Sequence, residues 1–150
     1  MDLQLDLKKE NDKDNFSNFD TCLNNFFATD TLMEDAGYEC VTCRKKTIAQ
    51  IRFRLIKLPE VLIVQAKRFT HLGTKLQTPL NFPKTFEFEE RLLEQEDEHQ
   101  YSLYAFIVHH GYSASRGHYF CYVKLASGDW CKYNDDSVTI IPDIDAQPQK

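Results

Sequence analysis

The stretch SRGHYFCYVKLASGDWCKYNDD, residues 115–136, predicts an antiparallel hairpin. Two runs rich in aromatic and β-branched residues flank the sequence ASG at 126–128, and its glycine can supply the positive φ that a three-residue hairpin loop requires. With a loop of this length Leu125 faces Asp129, and each further pair steps outward by one residue on both strands. His118 then faces Asp136, and Asn134 lies diagonally from His118 on the same face.

This predicted neighbourhood of His118 and Asn134 has chemical meaning. Diagonal neighbours on one face lie roughly 7–8 Å apart at the backbone, which is within side-chain reach. A catalytic histidine presents one ring nitrogen to a nucleophile, while an acceptor such as an amide or a carboxylate holds the other ring N–H. The alternative is a surface hairpin that carries a histidine and acids without any role, because short motifs also arise by chance.

A strand, a loop and a short helix are predicted at the beginning of the chain. Alternation with polar residues predicts a strand that contains Leu3, Leu5 and Leu7. Residues 8–18 are predicted to form an exposed loop. One apolar helical face is predicted from the spacing of Phe19, Leu23, Phe26 and Phe27. Asn18 or Asp20 is the expected N-cap of this helix.

The remaining pattern is that of strands joined by loops. Residues 51–55 predict a half-buried strand, 61–69 (VLIVQAKRF) a strand buried on both faces, and 101–110 a further strand. Residues 70–88 are expected to be mostly loop, and 89–100 an exposed loop or a short exposed helix. The fold class is therefore α+β, with mostly antiparallel β hairpins and one short helix.

Composition excludes several classes of protein. A chain of 150 residues can form one domain with a core. The net charge of −5 does not suit nucleic-acid binding, and no apolar run approaches the roughly 20 residues of a membrane span. The first residues lack the pattern of a signal peptide, and Cys40 and Cys43 have a metal or redox spacing. We therefore expect a cytoplasmic or nuclear protein.

Four segments together resemble the ubiquitin-specific proteases, which are ubiquitin carboxyl-terminal hydrolases of the papain-like cysteine peptidase class. These segments follow the order of the family and are residues 19–32 (FDTCLNNFFATDTL), 38–69, 80–88 (LNFPKTFEF) and 101–141. The last of them resembles the histidine box of the family, with Gly-His-Tyr, a tryptophan and Tyr-Asn-Asp-Asp. The resemblance implies the palm and fingers part of a papain-like domain, so that residues 1–150 form a partial catalytic domain.

Roles are implied residue by residue. His118 matches the general base, Asn134 the third member of the triad, and Asp135 the neighbouring acid. The implied reaction is thiol hydrolysis of the isopeptide or peptide bond after the C-terminal glycine of ubiquitin, through an acyl-thioester. Ubiquitin or ubiquitinated proteins are the implied partners, and catalysis needs no cofactor. Gly111 and Gly117 are expected to let a Gly-Gly tail approach the backbone closely.

The nucleophilic cysteine of the family is expected to lie outside this chain. No part of residues 1–21 resembles the cysteine box, so we expect the chain alone to be inactive. An alternative nucleophile is Cys22, because Cys22, His118 and Asn134 follow the order of papain-like proteases. The charge of the nearby Asp20 disfavours a thiolate there. Cys121 and Cys131 are expected to be packed or partly exposed strand thiols.

Cys40 and Cys43 resemble half of a zinc knuckle. Structural zinc takes four ligands, so the resemblance implies a second cysteine pair upstream that completes the site. The alternative is two thiols on a turn with no metal. A different protein class, a small zinc-binding β protein, would need further ligands such as His109 and His110, although His109 is expected to pack within the hairpin.

The same residues allow a non-catalytic function, and they also predict how the chain behaves on its own. The alternative to a hydrolase is a non-catalytic ubiquitin-binding or regulatory module derived from such an enzyme. Independently of function, residues 61–69 and the histidine-box hairpin are expected to leave an apolar face uncovered. Such a chain should be marginally stable or should associate when it is produced alone.

Overall fold

The computed structural model of the chain describes residues 2–7, 17–33, 37–94, 100–142 and 144. Its α-helix is α1 (Phe19–Phe26), and a 3-10 helix spans Glu90–Leu92. The strands are β1 (Asp2–Asp6), β2 (Ser17–Asn18), β3 (Asp30–Leu32), β4 (Tyr38–Glu39), β5 (Lys46–Thr47), β6 (Ala49–Ile51), β7 (Ile63–Lys67), β8 (Leu80–Asn81), β9 (Thr85–Glu87), β10 (Gln100–Ser102), β11 (Ala105–Ser113), β12 (Arg116–Lys124), β13 (Trp130–Asn134) and β14 (Ser137–Ile141).

The largest sheet is antiparallel and has the order β11-β12-β13-β14. Its central hairpin has the predicted register, since Lys124 pairs with Trp130 and Cys121 with Tyr133. The amide of Leu125 donates to the carbonyl of Asp129 at 2.8 Å, and Gly128 has a φ of 97°. Loop length and one glycine therefore set the register, as predicted.

Alternation along these strands separates two faces of the sheet. His118, Tyr122, Trp130 and Asn134 share one face, because Tyr122 pairs with Lys132 and Lys124 with Trp130. Tyr122 and Trp130 are buried there. The opposite face carries Ile107, Cys121, Cys131, Val138 and Ile140, of which Ile107, Val138 and Ile140 are exposed. The sheet thus has one packed aromatic face and one partly uncovered apolar face.

Helix α1 confirms the predicted helix and selects its cap. Oδ1 of Asn18 accepts from the backbone N–H groups of Asp20 at 2.9 Å and Thr21 at 3.3 Å. These two donors have no partner within the first turn, so the cap stabilises the helix by about 1 kcal/mol. Phe19 and Leu23 are buried against the main core.

The main core lies between α1, β1 and the segments around them. Strand β1 buries its leucines in alternation, as predicted, and it pairs with β7 in parallel, with Leu5 opposite Ala66. The buried cluster consists of Leu3, Leu5, Leu7, Phe19, Cys22, Leu23, Phe27, Leu55, Leu58, Leu80, Phe88, Leu92 and Leu93. Two small parallel pairs, β1 with β7 and β2 with β8, supplement the antiparallel pairing.

Two strand predictions need correction. Residues 61–69 are not buried on both faces, because β7 pairs with β1 alone within the described residues and Ile63 is 59% exposed. Residues 51–55 do not form one strand, since β6 ends at Ile51 and Phe53 is exposed. Leu55 is buried through a bridge to Leu93 instead. Apolar runs predict burial only where the fold provides a partner surface.

The two predicted exposed loops are also only partly loops. Of residues 8–18, positions 8–16 lie outside the described residues, while Ser17 is fully buried in β2 beside Leu80. In 89–100, the 3-10 helix buries Leu92, and residues 95–99 lie outside the description. Residues 101–110 are divided between β10 and β11. Among the described residues no helix is long and apolar enough to cross a membrane.

Candidate active-site histidine and its surroundings

The structure brings His118 and Asn134 into contact. Nε2 of His118 lies 2.5 Å from Oδ1 of Asn134, across the β12–β13 hairpin. An amide oxygen only accepts hydrogen bonds, so this arrangement makes Nε2 the protonated ring nitrogen. The lone pair is then at Nδ1. The side chain of His118 is 45% exposed, on the sheet face that also carries the buried Tyr122 and Trp130.

Asp135 lies near the ring but contacts it weakly. Its Oδ2 is 3.8 Å from Nε2 of His118, and its side chain is 75% exposed. Water screens such a pair, so its contribution is at most about 1 kcal/mol. Asp135 has a φ of 52°, in the turn that joins β13 to β14. Asn134 therefore dominates the contacts of Nε2, and Asp135 is a secondary neighbour.

All five cysteines fall within the described residues, and none shares the sheet face of His118. Cys121 and Cys131 lie on the opposite face, Cys131 buried and Cys121 partly so. Cys22 is buried in the main core on α1. Cys40 and Cys43 belong to the turn between β4 and β5. Neither strand cysteine therefore lies on the face of the sheet that carries His118.

Cys40 and Cys43 form a tight knuckle. The amide of Cys40 donates to the carbonyl of Lys45 at 3.0 Å, and that of Arg44 donates to the carbonyl of Cys40 at 2.8 Å. Backbone N–H groups of Cys43 and Thr42 hold the pKa of the Cys40 thiol below its usual value. Within the described residues, no group of three or more His, Cys, Asp and Glu side chains could hold a metal ion.

Gly111 and Gly117 both lie close to the ring of His109 in the β11–β12 hairpin. A Cβ built on Gly117 would lie 2.7 Å from Cε1 and 2.9 Å from Cδ2 of His109, so a side chain at this position would require the ring of His109 to move. A Cβ on Gly111 would lie 2.8 Å from Cα of Gly117. The ring of His109 therefore fills the space that Gly117 leaves, as expected of a histidine packed in the hairpin. The expected role in admitting a Gly-Gly tail receives no support from this packing.

Lys75 is a component of this region that the sequence did not single out. It is only 6% exposed, and its Nζ donates to the carbonyl of His109 at 2.5 Å. Burial, and the charge of Arg68, lower the pKa of Lys75 below its usual value. A lysine in a polar loop shows no periodicity, so no sequence signal identified it.

The fold is that of the papain-like domains of ubiquitin-specific proteases. A family profile described as ubiquitin carboxyl-terminal hydrolase matches residues 2–149. The chain therefore belongs to the ubiquitin carboxyl-terminal hydrolase family, which is a class of cysteine protease. The resemblance inferred from the four sequence segments is confirmed.

Individual relatives support the same assignment. Ubiquitin carboxyl-terminal hydrolase 4 of Arabidopsis thaliana is 32% identical over 151 residues, which cover 98% of this chain and 40% of the relative. Ubiquitin carboxyl-terminal hydrolase 10 of Saccharomyces cerevisiae is 33% identical over 115 residues, or 75% of this chain and 14% of the relative. The chain thus spans less than half the length of these relatives.

A solved structure shares the fold. The SAGA DUB module of Ubp8, Sgf11, Sus1 and Sgf73 bound to ubiquitin aldehyde matches with a TM-score of 0.77 and 29% identity. The match covers 99% of this chain and 34% of that chain. A SAGA DUB module bound to monoubiquitin matches with a TM-score of 0.74 and 31% identity, over 93% of this chain and 31% of that chain.

Proposed function

We propose that this chain supplies the histidine part of a cysteine deubiquitinase active site. His118 is the general base, Asn134 orients its ring, and Asp135 is an auxiliary neighbour. The reaction is hydrolysis of the isopeptide or peptide bond after the C-terminal glycine of ubiquitin, through an acyl-thioester. The observation that carries the proposal is the 2.5 Å contact between Nε2 of His118 and Oδ1 of Asn134.

The direction of this contact suits a thiol hydrolase. With Nε2 donating to Asn134, Nδ1 is the basic nitrogen that takes the proton of a thiol and later returns it to the leaving amine. The acceptor thereby holds both the tautomer and the orientation of the ring. The side chain of His118 is 45% exposed, and in this proposal the nucleophile approaches its Nδ1 from another segment.

The nucleophilic cysteine belongs, in this proposal, to sequence outside the 150 residues. Its basis is that Cys121 and Cys131 lie on the other face of the sheet and that Cys22 is buried in the main core. A buried thiol in apolar surroundings has a raised pKa and is a poor nucleophile. The chain alone is therefore inactive. Cys22 is the specific alternative that an experiment must exclude.

Ubiquitin or a ubiquitinated protein is the proposed partner, in the cytoplasm or the nucleus. Two solved relatives hold ubiquitin or its aldehyde, and this chain shares their fold over almost its full length. The competing function is a non-catalytic ubiquitin-binding module. Binding alone needs no oriented imidazole, so the contact between His118 and Asn134 favours the hydrolase.

Cys40 and Cys43 are the proposed half of a structural zinc site. The two thiols lie on one tight turn, and the thiol of Cys40 accepts hydrogen bonds from backbone N–H groups. They fit two of the four tetrahedral ligands that structural zinc prefers. The other two ligands would come from a further segment. Bound zinc would stabilise this turn and would take no part in the chemistry.

The test of the proposed function uses a chimera. Residues 1–150 replace the matching region of the Arabidopsis relative, which keeps that protein's own remaining sequence. We expect the chimera to cleave a fluorogenic ubiquitin C-terminal amide and His118→Ala to lower kcat/KM by about 10²- to 10⁴-fold. Cys22→Ala is the matched control and should leave the rate unchanged.

A second experiment uses the chain by itself with a ubiquitin probe that carries a C-terminal thiol-reactive group. We expect no labelling. Labelling that disappears in Cys22→Ala would refute the proposal and would make Cys22 the nucleophile of a compact enzyme. An inactive chimera together with tight binding of unmodified ubiquitin by the chain would favour the binding module instead.

A further inference from the structure

The segment that precedes β8 is tied to the hairpin that carries His118. Nζ of Lys75 donates to the carbonyl of His109, and the backbone amide of Lys75 donates to the carbonyl of Tyr112 at 3.3 Å. Thr74 forms a β-bridge with Ser113. Lys75 is buried, and its ammonium group meets this carbonyl in the protein interior. These contacts hold the segment along the outer edge of β11.

Near these contacts, β11 loses its regular pairing with β12 on its other edge. His110 pairs with His118, but the register between β11 and β12 shifts between His110 and Ser113. A bulge interrupts the ladder of hydrogen bonds and lets the strand bend. The ladder alone therefore holds the His118 end of β12 less firmly than it holds the rest of that strand. An external anchor at His109 compensates for this local loss.

The ring of His109 continues the connection towards His118. It packs against Phe69, with ring centroids 5.5 Å apart, and against Tyr119 at 4.7 Å. It also occupies the space beside Gly117, the residue directly before His118. Neither Nδ1 nor Nε2 of His109 has a hydrogen-bond partner among the described residues, and both are buried. The ring acts here through its shape.

We propose that Lys75 and His109 are positioning residues for His118. Lys75 holds the backbone of β11 at His109, and the ring of His109 holds Gly117 and so sets the direction from which His118 meets Asn134. Neither residue touches the reacting atoms. The expected effect of this positioning on catalysis rests on the proposed function. The effect of Lys75 and His109 on the ring of His118 does not depend on that function.

The test measures the ring of His118 directly. In histidine-labelled protein, long-range ¹H–¹⁵N NMR spectra distinguish the two neutral tautomers and follow the titration of each ring. We expect His118 of the unaltered chain to be in the tautomer protonated at Nε2. Lys75→Met and His109→Ala should each shift this population towards the mixture of an unconstrained histidine, and Lys75→Arg should retain more of the original state than Lys75→Met.

Lys67→Met is the matched control, because it makes the same change at an exposed lysine. Lys67 lies on β7, and its Nζ pairs with Asp6 of β1 at 3.0 Å. It should leave the spectrum of His118 unchanged. The two test variants alter different groups, so if one fails to fold, the other decides. A folded Lys75→Met or His109→Ala variant with unchanged His118 tautomer and titration overturns the proposal, even if its thermal stability is lower.

The same variants in the chimera separate this inference from the proposed function. Misplacement of a catalytic group by about 1 Å can cost on the order of 10²-fold in rate. We expect Lys75→Met to lower kcat with little change in KM, and Lys75→Arg to restore part of it. Altered His118 spectra with an inactive chimera would refute the hydrolase while supporting the positioning. Normal kcat in Lys75→Met would overturn the positioning.

Discussion

Replacement of Asn134 by alanine tests the arrangement at His118 most sharply. The change removes the acceptor 2.5 Å from Nε2 and leaves Asp135 at 3.8 Å as the nearest negative group. A hydrogen bond of this kind contributes about 0.5–1.5 kcal/mol. If that free energy selects the productive ring orientation, its loss lowers the rate by roughly 2- to 12-fold, since about 1.4 kcal/mol corresponds to tenfold.

The assay is steady-state hydrolysis of a fluorogenic ubiquitin C-terminal amide by the chimera. We expect the order of effects to be His118→Ala, then Asn134→Ala, then Asp135→Ala, because the exposed Asp135 pair is screened by water. Asn134→Asp keeps an acceptor and should recover most of the rate. The reasoning would be wrong if Asp135→Ala slowed the enzyme more than Asn134→Ala.

Three predictions concern stability and association. Leu5→Ala should lower the free energy of unfolding by about 2–5 kcal/mol, measured with urea, because Leu5 is fully buried. Burial, followed by the charges of Lys75 and His110, lowers the pKa of His109 in the folded chain. The imidazole of His109 therefore takes up a proton at a higher pH in the unfolded chain than in the folded chain. The free energy of unfolding should consequently fall as the pH drops below the ordinary pKa of histidine. His109→Gln should remove this dependence. Ile140→Lys should reduce self-association, seen by light scattering, because Ile140 lies on the uncovered apolar face.

Each of these predictions has a clear contrary result. Gln4→Ala, on the exposed side of β1, is the control for Leu5→Ala and should change stability little. For His109, equal pH dependence in the unaltered chain and in His109→Gln would contradict the expected linkage. For the apolar face, a monomeric chain that unfolds cooperatively at high temperature would show that the exposed side chains drive no association.

Local chemistry in the sequence determined the hairpin and the helix start. The loop at 126–128, with Gly128 in the positive-φ region, sets which residues of β12 and β13 face each other. That register places His118 and Asn134 on the same face of the hairpin, within side-chain reach of each other. In the same way Asn18 caps α1, because its side chain reaches amides two and three residues later. Both outcomes depend on contacts between near neighbours in the sequence.

Tertiary structure decided which apolar residues are buried and how the site is supported. Ile63 and Phe53 look like core residues in the sequence, yet both are exposed, whereas the polar residues Ser17 and Lys75 are buried. Burial depends on which surfaces the folded chain brings together, and a linear pattern does not contain that information. The hydrogen bond from Lys75 to the carbonyl of His109 joins residues 34 positions apart in the sequence. Only the folded chain brings this buried lysine to β11, the strand that pairs with the strand of His118.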